Sequence, residues 1–163
     1  MKEYTENELK YKAEAYCSAT EHCPFEVMTK LSQWGADEAM SERILLHLQK
    51  ERYVDSARYC RAFVRDKYRF ARWGRMKIVQ ALRMKHLSSE DIEAGMAEID
   101  EEEYEKGLRD LLRQKSKSVS GRNEYERNTK LIRFAVGRGF TMNEVLRLSL
   151  IHISEPTRLD VIS

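Results

Sequence analysis

One pattern restricts the fold of this chain more than any other: an apolar anchor followed four and five residues later by a tight turn, three times over. Leu31 precedes Gly35 and Ala36, Leu82 precedes His86 and Leu87, and Ala135 precedes Gly139 and Phe140. The anchors stand 51 and then 53 residues apart. A period near fifty belongs to a repeated supersecondary unit, which buries its apolar face partly against its neighbours.

Apolar residues around these anchors recur at helical spacing. Pro24 suits a first helical position, where a missing N–H costs nothing, and Phe25, Met28 and Leu31 follow before Gly35 ends the element. Met40, Ile44, Leu45 and Leu48 mark the next stripe. Asp55 can cap a helix whose buried face carries Cys60, Phe63, Val64 and the aliphatic stem of Lys67. Further stripes are Ile78, Val79 and Leu82; Ile92, Met96 and Ile99; Tyr104, Leu108, Leu111 and Leu112; and Tyr125, Ile132, Ala135 and Val136. A helix around Leu9 to Cys17, and one after Thr141 with the capping-box partner Glu144, bring the count to about nine. Only 2 Pro and 7 Gly interrupt a composition that is 34% charged, which favours helix over strand. The expected fold is all-α, with tandem three-helix repeats over residues 1–53, 54–100 and 101–147.

Residues 148–163 stand outside this pattern. From Leu148 to Arg158 the chain reads LSLIHISEPTR, which looks like the translated read-through of a transposase-type sequencing adapter. The repeats are therefore expected to stop near Arg147, and His152 and Pro156 carry no functional weight. A natural C-terminal strand or tail is the alternative.

No run of eighteen apolar residues occurs, and the N-terminus, with Lys2, Glu3, Glu6 and Glu8, lacks the apolar stretch of a secretory signal. A soluble, cytoplasmic protein with no membrane partner is expected. The cysteines Cys17, Cys23 and Cys60 are odd in number and too sparse to staple a small secreted fold, so reduced thiols are the natural reading. A metal site at Cys17, His22 and Cys23 lacks a second paired cluster, and a pairing with Cys60 has nothing to recommend it.

Enzyme signatures are absent: no phosphate-cradling glycine loop followed by Lys and Ser or Thr, no GxGxxG, no HExxH, no GxSxG. His22, His47, His86 and His152 are scattered singly, whereas nucleophilic or metal chemistry needs converging partners. The expectation is a non-enzymatic protein with no catalytic residue, cofactor or metal. The acidic run Glu90 to Glu105 reads as a solvated helix start complementing the dipole rather than a metal site.

Charge arrangement is the informative feature. The net charge of +2 hides segregation: residues 58–85 hold ten Lys and Arg against Asp66 alone, residues 90–105 hold nine acids and no base, and residues 106–138 hold ten bases against three acids. At helical spacing Arg58, Arg61, Arg65, Arg69 and Arg72 form one row turned away from Cys60, Phe63 and Val64, with Arg75 and Lys77 after the turn. Lys106, Arg109, Arg113 and Lys117 form a second row opposite Tyr104, Leu108, Leu111 and Leu112. Like charges so placed repel by a few tenths of a kcal/mol per pair, so the rows point to a polyanionic or acidic partner. The alternative is a solvated face balanced by the acidic block of the same chain. Tyr59, Tyr68, Phe70 and Trp73 accompany the first row, a mixture found at nucleic-acid surfaces and protein hot spots, although core packing is the commoner fate of such rings.

Tyr53, Val54 and Asp55, then Tyr59 and Phe63, then Gly74, Lys77 and Ile78 resemble the central signature of the RecX family. Leu31, Trp34 and Gly35, and later Arg138, Gly139 and Phe140, fall where the other repeats of that family turn. The resemblance covers nearly all of residues 10–147. Its departures are the C-terminus and His86 with Leu87, where the family often has a glycine-containing turn. The resemblance implies that the repeats form an elongated, curved array, and that the chain is a monomeric regulator that binds the RecA nucleoprotein filament and inhibits RecA recombinase, ATPase and coprotease activities, near or on single- or double-stranded DNA. A helical DNA- or RNA-binding module acting without RecA, and a scaffold with no nucleic-acid role, are the competing readings.

Overall fold

A computed structural model describes residues 3–152, with side chains to Leu148. The described residues form nine α-helices and no strand: α1 (Glu6–Ala19), α2 (Pro24–Gln33), α3 (Glu38–Lys50), α4 (Ser56–Arg69), α5 (Arg75–Met84), α6 (Ser89–Met96), α7 (Glu101–Ser116), α8 (Glu124–Gly137) and α9 (Met142–His152). Among them no helix is long and apolar enough to cross a membrane. Residues 3–63 with 82–95 form one compact unit, and residues 64–81 with 96–152 another. Leu148, the first residue of the segment expected to be adapter-derived, is buried within α9, while residues 153–163 of that segment lie outside the described residues.

In the first unit a capping box starts α1: Thr5 Oγ1 accepts the Glu8 N–H and Glu8 returns a bond to the Thr5 N–H. Helix α1 buries Leu9, Ala13 and Cys17 at intervals of four, and these meet Val27 and Leu31 of α2, Ile44 and Leu48 of α3, and Val54. Each large aliphatic side chain so buried contributes roughly 1.5–3 kcal/mol, an upper figure because unfolded chains already hide part of this surface. Phe25, expected in the stripe of α2, is instead 42% exposed beside His86, and Val27 takes the core position. Six residues from Leu31, Phe25 stands about 120° around the helix, whereas Val27 at i−4 stands about 40° away. The same geometry turns Tyr125 outward from Leu131 in α8, where the core face is Leu131 and Ala135 and Val136 is exposed.

Glu26 ties this unit together. Its carboxylate accepts from Lys85 Nζ at 2.8 Å and from the Cys23 N–H at 3.2 Å, and faces His22 Nδ1 at 3.1 Å. Burial works to raise its pKa, but the bonds from Lys85, His22 and Cys23 outweigh that and hold it below the ordinary 4.5.

The three repeating turns share one geometry. Gly35, His86 and Gly139 have φ of 97°, 62° and 103°. The N–H of the residue after each bonds back to the anchor carbonyl, Ala36 to Leu31 at 3.0 Å, Leu87 to Leu82 at 3.4 Å and Phe140 to Ala135 at 3.2 Å. Each turn residue bonds one position further on, to Ser32, Arg83 and Val136. This is the Schellman pattern, which satisfies the last carbonyls of a helix. His86 holds the left-handed conformation that glycine supplies elsewhere, so the backbone geometry of the repeat survives the substitution.

The second unit is organised around α7, α8 and α9, which bury Tyr104, Leu108, Leu111, Leu112, Leu131, Ala135, Val145 and Leu148, with Phe140 of the α8–α9 turn buried as well. Thr141 and Glu144 form the capping box expected from their spacing. Here the turn at Gly139 touches Gly74 directly: the Gly74 N–H donates to the Arg138 carbonyl at 2.8 Å and the Met76 N–H to the Gly139 carbonyl at 3.0 Å. A Cβ on Gly74 would stand 2.2 Å from the Gly139 carbonyl carbon, and one on Gly139 would stand 2.4 Å from Lys77 Cβ.

Two predictions follow from these contacts. Gly35 has the same left-handed backbone as Gly139 but open space around it. In urea unfolding Gly35→Ala should cost about 1 kcal/mol, the backbone penalty alone, whereas Gly139→Ala should cost at least about 3 kcal/mol or fail to fold; equal costs would contradict the close contact. Because the Glu26 pKa is depressed in the folded state, its stabilisation is present above its unfolded value and lost as pH falls through its folded value. Thermal melts should therefore show wild-type stability declining below pH 4.5. Glu26→Gln should lose about 1–3 kcal/mol near pH 7 and show a shallower acid decline.

Candidate functional site

The candidate surface consists of the two basic rows. Helix α4 opens with the Asp55 carboxylate accepting the Arg58 N–H at 3.0 Å, then buries Tyr59, Cys60, Val64 and Tyr68 and leaves Arg65, Asp66 and Arg69 outward. That placement follows from period 3.6, with the apolar residues at i, i+4 and i+8 from Cys60.

The residues of the first row have different surroundings. Arg58 is half-buried, with its guanidinium on Glu21 and on the carbonyls of Arg52 at 3.1 Å and Tyr53 at 3.3 Å; the Glu21 bond raises its pKa further. Arg61 is half-buried. Arg65 reaches Glu98 at 3.9 Å, and Arg69 donates to Glu103 at 2.8 Å. Arg72 does not continue the helical row, because α4 ends at Arg69. It occupies the following turn with φ 54°, where the Trp73 N–H bonds back to the Lys67 carbonyl, and its side chain lies 3.9 Å from Asp110. Arg75 lies in the first turn of α5, with its guanidinium 4.1 Å above the Tyr104 ring and paired with Glu101 and Glu144. Lys77 lies 4.4 Å over the Trp73 ring, and Lys67 lies 4.7 Å from the same ring.

The second row lies along α7. Lys106 and Arg113 both turn to Asp110, at 2.9 Å and 3.6 Å, and the Lys106 hydrogen bond leads in holding the Asp110 carboxyl below its ordinary range. Arg109 is half-buried, and Lys117 is exposed at the C-cap.

The second unit thus brings Arg65, Arg69, Arg72 and Arg75 to carboxylates at positions 98, 101, 103, 110 and 144. These pairs are solvent-exposed in part, and such pairs are worth about 0–1 kcal/mol each, so an incoming anion can exchange with them. Sequence reasoning missed the clamp at Arg75. The Tyr104 hydroxyl accepts the Arg75 N–H at 3.0 Å and donates to Glu144 at 3.3 Å, whereas helical spacing identifies Tyr104 only as a core residue. Burial raises its pKa well above the ordinary tyrosine value, so the hydroxyl keeps its proton.

No three His, Cys, Asp or Glu converge on a possible metal position among the described residues. Cys17, Cys23 and Cys60 are free, buried thiols, and burial pushes Cys17 and Cys60 up to about 11, which leaves them poor nucleophiles at neutral pH.

Comparison with known proteins places this geometry. Residues 55–96 match the family model described as RecX, second three-helix domain. The chain is 24% identical over 140 residues to a regulatory protein RecX of Clostridium acetobutylicum, covering 83% of this chain and 64% of that protein. It is 25% identical over 151 residues to a regulatory protein RecX of Mycobacterium sp. (strain KMS), covering 88% and 82%. Among solved structures, RecX from Lactobacillus salivarius superposes with a TM-score of 0.76 at 16% identity, covering 88% of this chain and 93% of that one. A second RecX structure gives the same TM-score at 20% identity, covering 88% and 73%. The fold is that of tandem three-helix repeats. The central-repeat match, the curated relatives and the solved neighbours agree: the chain is similar to RecX regulatory proteins and shares the fold of their solved structures.

Proposed function

We propose that this chain binds the RecA–DNA filament and inhibits RecA recombinase, ATPase and coprotease activities, thereby modulating DNA repair and recombination in the cytoplasm. It acts as a monomer by occupying surface, with no reaction of its own. The match of the central repeat to the RecX second three-helix domain carries this reading. The regulatory name of the relatives supports it.

The surface chemistry is suited to reversible capture. Arg65 and Arg69 are 51% and 41% exposed and sit on one helix with carboxylates that a stronger anion can displace. Arg61 and Arg72 flank them, and Arg75 and Lys77 follow. Acidic groups of the filament protein or DNA phosphates satisfy the same guanidiniums by charge-assisted bonds.

Reversing Arg61, Arg65 and Arg69 to Glu together should weaken inhibition of DNA strand exchange at least about tenfold, while the circular dichroism spectrum stays that of the parent. Salt then separates the partners. Phosphate contacts give a slope of log affinity against log salt of roughly 0.9 per phosphate neutralised, and protein contacts a shallower one. Undiminished inhibition by the folded triple variant would rule out this row and leave Lys106, Arg109, Arg113 and Lys117. Tight oligonucleotide binding without any effect on RecA would favour the independent nucleic-acid module.

A further inference from the structure

A cleft of about 280 Å³ opens beside α7, α8 and α9 in the second unit. Leu112, Val119, Leu131 and Leu148 give it an aliphatic lining. Arg109, Arg113 and Arg127 surround that lining, with Glu124 as the single acid among the lining residues.

These arginines differ from those of α4 in their counter-charges. Arg113 leans on Asp110 at 3.6 Å, and Arg127 reaches the Gly121 carbonyl at 3.4 Å. Among the described residues neither Arg109 nor Arg127 has a carboxylate within ion-pair distance. The cleft is therefore net cationic with an apolar lining, a combination that takes an anion attached to an apolar group. Among the described residues no aromatic ring lines it, so a nucleotide base would find no stacking platform there. Glu124 also opposes a phosphate more than a single carboxylate, which carries less charge.

We propose that this cleft docks a short acidic segment of a partner protein, with a carboxylate on Arg109 and Arg127 and a neighbouring aliphatic side chain on Leu112, Val119 and Leu131. The proposal rests on the reading above that the chain acts by binding a protein assembly, and it adds the chemistry of one contact. Guanidinium to carboxylate bonding supplies orientation, and the aliphatic contact supplies discrimination against acidic segments that lack it.

The test uses the full chain labelled with 15N and titrated with the blocked peptide Glu-Leu-Glu-Leu, with Glu-Ser-Glu-Ser, inorganic phosphate and a thymidine oligonucleotide as separate arms. The leucine peptide should give saturable shifts at the amides of Leu112, Val119 and Leu131. The serine peptide and the Arg109→Gln/Arg127→Gln double variant should each weaken binding at least about tenfold. Glu124→Gln, which leaves every arginine in place, should tighten peptide binding several-fold and keeps the test open should the double variant not fold. No saturable shift with the leucine peptide, equal binding of the two peptides, unchanged or weaker binding by Glu124→Gln, or preferential saturation of these amides by the oligonucleotide or phosphate would overturn the proposal. A chain that inhibits RecA yet ignores the leucine peptide refutes this cleft alone. A chain that binds the peptide at these amides and leaves RecA untouched supports the cleft and refutes the functional reading.

Discussion

The backbone contact between Gly74 and Gly139 is the constraint on which the second unit depends. The N-terminus of a helix presents N–H groups without partners, and the C-terminus of another presents carbonyls without partners. Here the two ends satisfy each other: Gly74 and Met76 donate to the carbonyls of Arg138 and Gly139. The approach is close enough that neither glycine can carry a side chain. Arg138 adds a strap from its guanidinium to the Ala71 carbonyl at 2.6 Å. A third donor of that turn, the Arg75 N–H, goes to the Tyr104 hydroxyl. Seating Arg75 in this way puts its guanidinium on the Tyr104 ring and beside Glu101 and Glu144.

The acidic block has two roles. Asp100 caps α7, and Glu101, Glu102 and Glu103 complement the positive end of its dipole. Glu98, Glu101 and Glu103 also stand against Arg65, Arg75 and Arg69. A basic face without counter-charges would repel itself and bind polyanions without discrimination. Exposed pairs of this kind have small net value, so the carboxylates relieve that repulsion without locking the guanidiniums away. Under the proposed function, acidic protein groups and phosphates would compete for the same guanidiniums, and binding would weaken as ionic strength rises.

Much of the fold was legible in the sequence because helical repeats advertise themselves locally. The anchors Leu31, Leu82 and Ala135 mark the three Schellman turns, and Thr141 with Glu144 marks a capping box, each within a few residues of chain. Phe25, Tyr125 and Val136 were misplaced because a stripe of apolar residues fixes a helical face only to within a residue or so of arc, and Val27 and Leu131 lie nearer the centre of burial. The row of arginines was visible, but its end was not: the left-handed turn at Arg72 carries no glycine to announce it. Which carboxylates meet Arg69 and Arg75 is set by contacts between residues 26 to 69 positions apart, beyond the reach of local spacing. Gly74 and Gly139 were both visible as parts of motifs, yet nothing in either motif says that they touch.

Regulation of RecA through binding to its filament is the function proposed for this chain. Titration of the purified protein into a DNA-stimulated RecA ATPase assay is the decisive measurement. Filament binding should give a saturable fall in ATP hydrolysis at protein concentrations below those needed to bind the free DNA. An ATPase rate that stays constant to full saturation, or that falls only in proportion to DNA sequestered, would contradict it.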